Sequence, residues 1–288
     1  MSFDLDRIGG RAALGELVDE VLAAGEEALR LYKNGVADRT REKPNRSPVT
    51  EADEAVERRL SMYLRKRYPE AAFLGEETGS SGPSQAGLRW VVDPIDGTRS
   101  FSSGVPLYGV LIALEVDGRP VLGCCHLPAL GDTVVAAEGA GAWWNGTRVR
   151  VSEVDDLSQA RVVSSGLEYW RDWATPEGRE GWTRLVGQAR FARTWGDCYG
   201  YMLVATGRAE IMVDPATGAP WDYLPLIPIL HEAGGRFTSL GGEAVGAWTT
   251  SLATNGRVHE AAMGCWSARE RGDAVVQTEE ILARRKAS

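Results

Sequence analysis

The segment Trp90-Val-Val-Asp93-Pro-Ile-Asp96-Gly-Thr98 constrains this chain more than any other. Its apolar start reads as a strand that runs straight into two aspartates three positions apart around a proline. A strand end can aim a side chain into a cleft while the sheet holds it still. Pro94 fixes one backbone angle, and Gly97 lets the chain turn sharply or approach a ligand closely. Two carboxylates pinned this near each other repel unless a cation sits between them. Thr98 adds a hydroxyl, and the amides of Gly97 and Thr98 are available to an anion. Asp-Pro and Asp-Gly also mark ordinary turns, so the segment alone is open to that reading too.

Other acids shift the balance. Glu76 and Glu77 follow a predicted strand over 71–74 through Gly75, and a glutamate pair at a strand end suits a mere turn poorly. Asp53 falls in the first turn of a predicted helix behind Thr50 as N-cap, and Asp222 opens another after Trp221. Each of these two is equally explained by the preference of carboxylates for helix N-termini. The three histidines, His126, His231 and His259, lie in no metal-ligand spacing, and no Ser-His or Cys-His pair is suggested. The chemistry therefore rests on carboxylates. Hard oxygen ligands without histidine or thiolate suit Mg²⁺. If Asp53, Glu76, Asp93, Asp96 and Asp222 converge they carry −5, and a phosphate monoester adds about −2. Two Mg²⁺ then leave about −3 and three about −1, so the site is expected to hold two or three ions.

The formal charge of −8 supplies no basic face for a phosphate backbone, so nucleic acid is not an expected partner. No apolar run reaches the eighteen residues of a membrane span, and the longest, around 105–116, is strand-sized. The first residues mix charges of both signs and carry no secretory pattern. Four cysteines, two of them adjacent, make a disulfide framework unexpected and the reducing cytoplasm the expected location.

Leu14, Leu17, Val18, Val21, Leu22 and Leu29 fall at helical spacing, and Val56, Leu60, Tyr63 and Leu64 predict a second helix ending at Pro69. Short strands follow, with Asp117-Gly118 and Asn145-Gly146 as hairpin turns. The first half reads as two helices covering a largely antiparallel sheet. Beyond about 155, strands at 160–164, 190–193 and 211–214 alternate with helices at 177–188, 197–206 and 221–233, the pattern of crossover connections. Residues 1–155 are expected to form an α+β subdomain with most of the metal ligands. Residues 156–267 form an α/β subdomain with the specificity residues and Asp222, and 268–288 a helical tail.

Gly75-Glu76-Glu77, residues 90–98, Trp221-Asp222 with Glu232-Ala-Gly-Gly235, and the upstream stretch 48–53 together resemble the inositol monophosphatase family over roughly 10–265. The resemblance implies a layered αβαβα sandwich shared with fructose-1,6-bisphosphatase, a homodimer, and Mg²⁺-dependent hydrolysis of a small phosphate ester. Carried over by position, Glu76, Asp93, Asp96, Asp222 and the Ile95 carbonyl would be metal ligands, with Asp53 helping to hold a third ion. Glu76 and Thr98 would position the attacking water, while Asp96, Gly97 and Thr98 would touch the phosphate. Lys43 either adds positive charge near the site or is a solvated loop lysine.

Specificity is expected from Arg193-Thr-Trp-Gly196-Asp197-Cys-Tyr-Gly200-Tyr201. Inositol phosphatases resemble Gly-Ser at the Gly196-Asp197 position, and this chain has an acid. Asp197 is either a helix cap or a charge-assisted partner for a substrate ammonium. The segment resembles the histidinol-phosphate phosphatase branch, for which Gly196, Asp197, Arg193, Asp214 and Asp222 are the candidate substrate contacts. Inositol-1-phosphate or a broad range of sugar phosphates is the alternative, and a non-catalytic regulator would be expected to have lost some of these acids.

Overall fold

The hydrophobic periods above organise the chain into helices that sandwich two sheets. A computed structural model gives the fold, and it describes residues 3–35, 41–42, 48–83, 87–246 and 249–266. In chain order these are α1 (Gly10–Lys33), β1 (Arg41–Glu42), β2 (Pro48–Val49), α2 (Glu51–Arg67), β3 (Ala72–Gly75), β4 (Gly79–Ser81), β5 (Leu88–Asp96), α3 (Thr98–Ser102), β6 (Gly109–Val116), β7 (Arg119–Leu127), β8 (Asp132–Ala137), β9 (Gly141–Trp144) and β10 (Thr147–Val149). Then come β11 (Arg161–Val163), α4 (Leu167–Asp172), α5 (Pro176–Gln188), β12 (Phe191–Arg193), α6 (Asp197–Ala205), β13 (Ile211–Gly218), α7 (Pro220–Tyr223), α8 (Leu226–Glu232), β14 (Arg236–Thr238), β15 (Thr249–Thr254) and α9 (His259–Met263). Lys43 and the tail at 268–288 lie outside the described residues. No described helix is long and apolar enough to cross a membrane.

The first sheet has the order β10-β9-β8-β7-β6-β5-β3-β4 and is antiparallel except where β3 runs beside β5. Leu17 and Val21 of α1 and Val56 and Leu60 of α2 cover one face, against Trp90, Val92, Ile112 and Leu114. On the other face, Leu111, Cys125 and Val134 meet Met202 and Val204 of α6 and Leu226, Ile229 and Leu230 of α8, which also touch Met212 and Ala253 of the second sheet. Beyond that sheet, Trp170, Leu185 and Ala262 pack on Val162, Ile211, Val213 and Leu252. The result is the expected αβαβα sandwich. Because β6 is covered on both faces, all eight of its positions are buried, which explains its continuous rather than alternating apolar run.

Both predicted hairpins form. Asp117 and Gly118 (φ 50° and 76°) and Asn145 and Gly146 (φ 48° and 77°) occupy the left-handed region that a two-residue turn demands. Three features differ from the sequence expectation. The predicted helix over 221–233 is two helices, because Pro225 has no N–H and its ring would meet the carbonyl four residues back. The first helix is preceded by a separate 3₁₀ turn at Leu5–Ile8, ended by Gly9 at φ 100°. The second sheet, ordered β12-β11-β13-β15-β14, is parallel only across its first three strands, since β15 runs antiparallel to both β13 and β14.

The middle layer fits closely at Gly123 of β7, where an added Cβ would lie 1.9 Å from the Pro225 carbonyl oxygen. Backbone on both sides leaves nothing flexible to give way. Gly123→Ala is expected to destabilise the protein by about 2–3 kcal/mol, measured by denaturant titration, whereas Gly146→Ala, with open space around it, acts only through its positive φ.

Candidate active site

The site is built on an irregularity in β5. Asp93 pairs with Leu111 of β6 and Asp96 with Gly109, so three steps along β5 match two along its neighbour. In a regular strand, residues three apart point to opposite faces. The extra residue, beside a proline that has no N–H to give the ladder, turns Asp93 and Asp96 to the same side. The Ile95 N–H donates to Asp93 Oδ1 at 3.1 Å, and the Thr98 hydroxyl donates to the Ile95 carbonyl at 2.9 Å, leaving that carbonyl one lone pair. Gly97 sits at φ 81°, and a Cβ there would lie 2.9 Å from the Leu107 carbonyl oxygen.

Three further elements bring acids to this bulge. Asp222, in the first turn of α7, accepts from the Ala219 N–H at 2.6 Å, and its ligand atom lies with those of Asp93 and Asp96 within a mutual 4.8 Å. Asp93 also stands within hydrogen-bonding reach of Glu76, which follows β3. Asp53 closes the N-terminus of α2 as a capping box: its Oδ2 accepts from the Thr50 N–H at 2.7 Å and the Thr50 hydroxyl at 2.6 Å. Its Oδ1 is buried with no hydrogen-bond partner.

Burial, then neighbouring carboxylates, pushes Asp53, Asp93, Asp96 and Asp222 upward. Asp93 and Asp96 are raised well above the usual carboxylate range, Asp93 by burial and then Glu76, Asp96 and Asp222, and Asp96 by burial and then Asp197 and Asp222. Asp222 and Asp53 are each raised to about 7, with burial the largest cause and Glu76 a further one. Converging hard oxygens, mutual repulsion and an orphaned buried oxygen on Asp53 are what a bound divalent cation resolves, so the residues present fit such an ion.

The second sheet forms the opposite wall. Asp197 opens α6 with φ 51°, a left-handed conformation that aspartate tolerates better than most residues. Its N–H donates to Ser165 Oγ at 2.9 Å, and the next N–H, of Cys198, donates to Asp96 at 2.5 Å. Gly196 is required there, because a Cβ would fall 1.9 Å from the Ser165 Cα. Asp197 is raised to about 7 by burial and then by Asp214, with Arg99 acting to lower it.

Asp214 and Arg193, two of the substrate candidates, stand in different surroundings. Asp214 is buried, and its carboxylate accepts from the Ser164 hydroxyl (2.8 Å), the Ser165 N–H (2.9 Å) and the Ser165 hydroxyl (2.5 Å), so it meets Asp197 through Ser165. Arg193 is exposed, donates to the Ala192 carbonyl at 2.8 Å and lies 5.3 Å over the Phe191 ring. The guanidinium whose charge acts on Asp197 is that of Arg99, which pairs with Glu168 of α4 at 2.9 Å and lies 5.6 Å over Tyr169. Sequence reasoning missed Arg99, Glu168 and Ser165. Arg99 directly follows Thr98, and Ser165 directly follows the strand predicted over 160–164.

With its αβαβα sandwich and its acids gathered where β5 leaves the sheet, the chain is a phosphoric monoester hydrolase. Within that class the chain belongs to the inositol monophosphatase family, whose model matches residues 13–276. A histidinol-phosphatase of Chlorobaculum parvum is 47% identical over 189 residues, covering 66% of this chain and 71% of that one. A histidinol-phosphatase of Mycobacterium tuberculosis is 38% identical over 253 residues, covering 86% and 93%. Among solved structures, the extragenic suppressor protein SuhB of Bartonella henselae superposes with a TM-score of 0.81 at 24% identity, covering 88% of this chain and 98% of that one. An inositol monophosphatase of Thermotoga maritima superposes at 0.77 with 26% identity, covering 92% and 98%.

Carboxyls raised to about 7 bind protons that an unfolded chain releases near pH 4. Their contribution to metal-free stability is therefore full below about pH 4 and is lost as pH rises through 7. In thermal melts with chelator, the protein is expected to unfold at a lower temperature at pH 8 than at pH 5.5, and added divalent cation to raise the midpoint more at pH 8. Asp93→Asn is expected to raise the chelated midpoint at pH 8 and to shrink the cation-induced rise; an unchanged response to cation would contradict a shared metal site.

Proposed function

We propose that the chain is a Mg²⁺-dependent histidinol-phosphatase, hydrolysing L-histidinol phosphate to L-histidinol and phosphate. The observation that carries the substrate is Asp197. Where an inositol phosphatase resembles a neutral serine, this chain holds a carboxyl crowded by the charges of Asp214 and Glu168. A substrate ammonium would relieve that crowding and keep Asp197 ionised, whereas a polyol offers no positive charge. The two histidinol-phosphatases described above support the same reading.

Glu76, Asp93, Asp96 and Asp222 would hold two Mg²⁺, with the remaining Ile95 lone pair completing the set and Asp53 Oδ1 directed toward a third. Bound there, the ions would supply an acidified water and neutralise the phosphoryl oxygens. The chain's own part is positioning. The Thr98 hydroxyl directs its one O–H to the Ile95 carbonyl, so its oxygen remains an acceptor toward the cleft's other groups. With Glu76 it would offer two acceptors to one water, orienting it for in-line attack. The Gly97 and Thr98 amides face the phosphate, as Gly97 at φ 81° turns the chain into α3. We read 1–155 as the half supplying most of the metal ligands and 156–267 as the half recognising the alcohol. A homodimer in the cytoplasm completes the proposal, in keeping with four free, buried thiols.

Steady-state kinetics on histidinol phosphate beside inositol-1-phosphate test this. Asp197→Ser is expected to lower kcat/KM for histidinol phosphate by about 10- to 100-fold, the loss of one charge-assisted hydrogen bond of roughly 1.5–3 kcal/mol, and to leave inositol-1-phosphate within about threefold. Faster turnover of inositol-1-phosphate with no effect of the substitution would make the protein an inositol monophosphatase instead. Phosphate release that persists under chelation would refute the metal-dependent route.

A further inference from the structure

Helix α2 delivers two buried carboxylates toward the turn that carries Glu76, and it uses them differently. Asp53 commits one oxygen to Thr50 and keeps Oδ1 without a hydrogen-bond partner. Glu57, one helical turn later and 1% exposed, has both oxygens taken. Its Oε2 accepts from the Glu77 N–H at 2.7 Å, and its Oε1 accepts from the Thr78 N–H at 2.8 Å and the Thr78 hydroxyl at 2.6 Å. On the other side of Glu76, a Cβ on Gly75 would lie 2.4 Å from both the carboxyl carbon and Oε1 of Glu57. The backbone before and after Glu76 is thus laid against one side chain.

That arrangement has an electrostatic cost. Acids four apart on a helix repel, and Asp53 already feels Glu76 and Glu77. Glutamine, nearly the same shape, would not serve. All three contacts are donors, and an amide presents one acceptor oxygen and one NH₂, so an N–H would be left facing an N–H. Only an ionised carboxylate accepts on both sides, and such bonds are stronger than neutral ones. What they hold in place is a turn under load. Glu76, Asp93 and Asp222 repel one another, and an unrestrained turn would relax by swinging Glu76 outward.

We propose that Glu57 is a positioning residue of the metal site: it touches neither ion nor substrate, and it fixes the turn at 75–78 so that Glu76 is held against Asp93 and Asp222 before any cation arrives. In the sequence alone, a glutamate within a charged helix reads as solvated. The inference rests on the reading of Glu76 as a metal ligand. A preformed ligand set spares the ion the work of gathering it, so the clamp should be read in metal affinity rather than in substrate binding.

The test uses the full-length chain and two variants, Glu57→Gln and Thr78→Val, the second removing one donor while keeping the carboxylate. Calorimetric titration with Mg²⁺ alone reports affinity without turnover, and kinetics report the Mg²⁺ needed for half-maximal rate. Glu57→Gln is expected to weaken Mg²⁺ binding by about tenfold or more and to lower kcat, with KM for the phosphate ester at saturating Mg²⁺ within about twofold. Thr78→Val should move both Mg²⁺ readouts in the same direction by about threefold, with little change in its metal-free melting temperature. If Glu57→Gln does not fold, Thr78→Val decides. Wild-type Mg²⁺ binding that neither folded variant alters by more than about twofold overturns the inference alone. A wild-type chain that binds no Mg²⁺ overturns the metal-ligand reading and this inference with it.

Discussion

Repulsion among buried and half-buried carboxylates is the constraint on which the rest of this structure depends. Each acid is held by a backbone N–H from its own vicinity or from across the cleft: Asp93 by Ile95, Asp222 by Ala219, Asp53 by Thr50 and Asp96 by Cys198. A backbone donor cannot swing away as a side chain can, so the repulsion is borne by the secondary structure itself. Burial raises every member of this set, which is the condition in which a divalent cation gains most by entering.

The donors come from β5, α6, α7 and the start of α2, so the acid cluster exists only when both sheets and the layer between them are in place. Several polar contacts fasten that assembly. The Cys198 N–H crosses from α6 to Asp96 at the end of β5. Glu232, at the end of α8, accepts from the Gly139 and Gly141 N–H groups at 2.8 and 2.7 Å and ties the middle layer to the turn between β8 and β9. Part of the Glu232-Ala-Gly-Gly235 motif is therefore a structural fastener. Farther out, Arg161 and the fully buried Glu210 pair at 2.6 Å, with Ser152 as a third partner at 2.8 Å.

Much of this was legible in the sequence, and what was missed has physical reasons. Hairpins at Asp117-Gly118 and Asn145-Gly146 announce themselves because few residues other than glycine and asparagine or aspartate accept positive φ. Asp96 ends β5 and Asp222 lies in the first turn of α7, and with Asp93 they follow apolar runs or helix-start signals that mark them in the chain. Glu57, Glu168 and Ser165 carry no such mark. Their importance comes from tertiary neighbours, and in the linear chain a glutamate in a helix is the same whether it meets water or three N–H and O–H donors. Arg99 shows the same limit: it directly follows Thr98, and only the fold brings its charge to bear on Asp197. The break at Pro225 was readable, but a continuous apolar face from Leu224 to Leu230 concealed it.

The extra residue in β5 has a consequence for how such a chain can vary. Substitutions along the strand alter size or polarity, and neighbours can repack around them. Adding one residue to β6 between Gly109 and Leu111 would instead match three steps with three, restore a flat ladder and send one of the two acids through to the opposite surface of the sheet, into the apolar layer that holds Val92 and Ile112. At this point chain length acts as a chemical variable: parity, more than side-chain identity, decides whether there is a site at all.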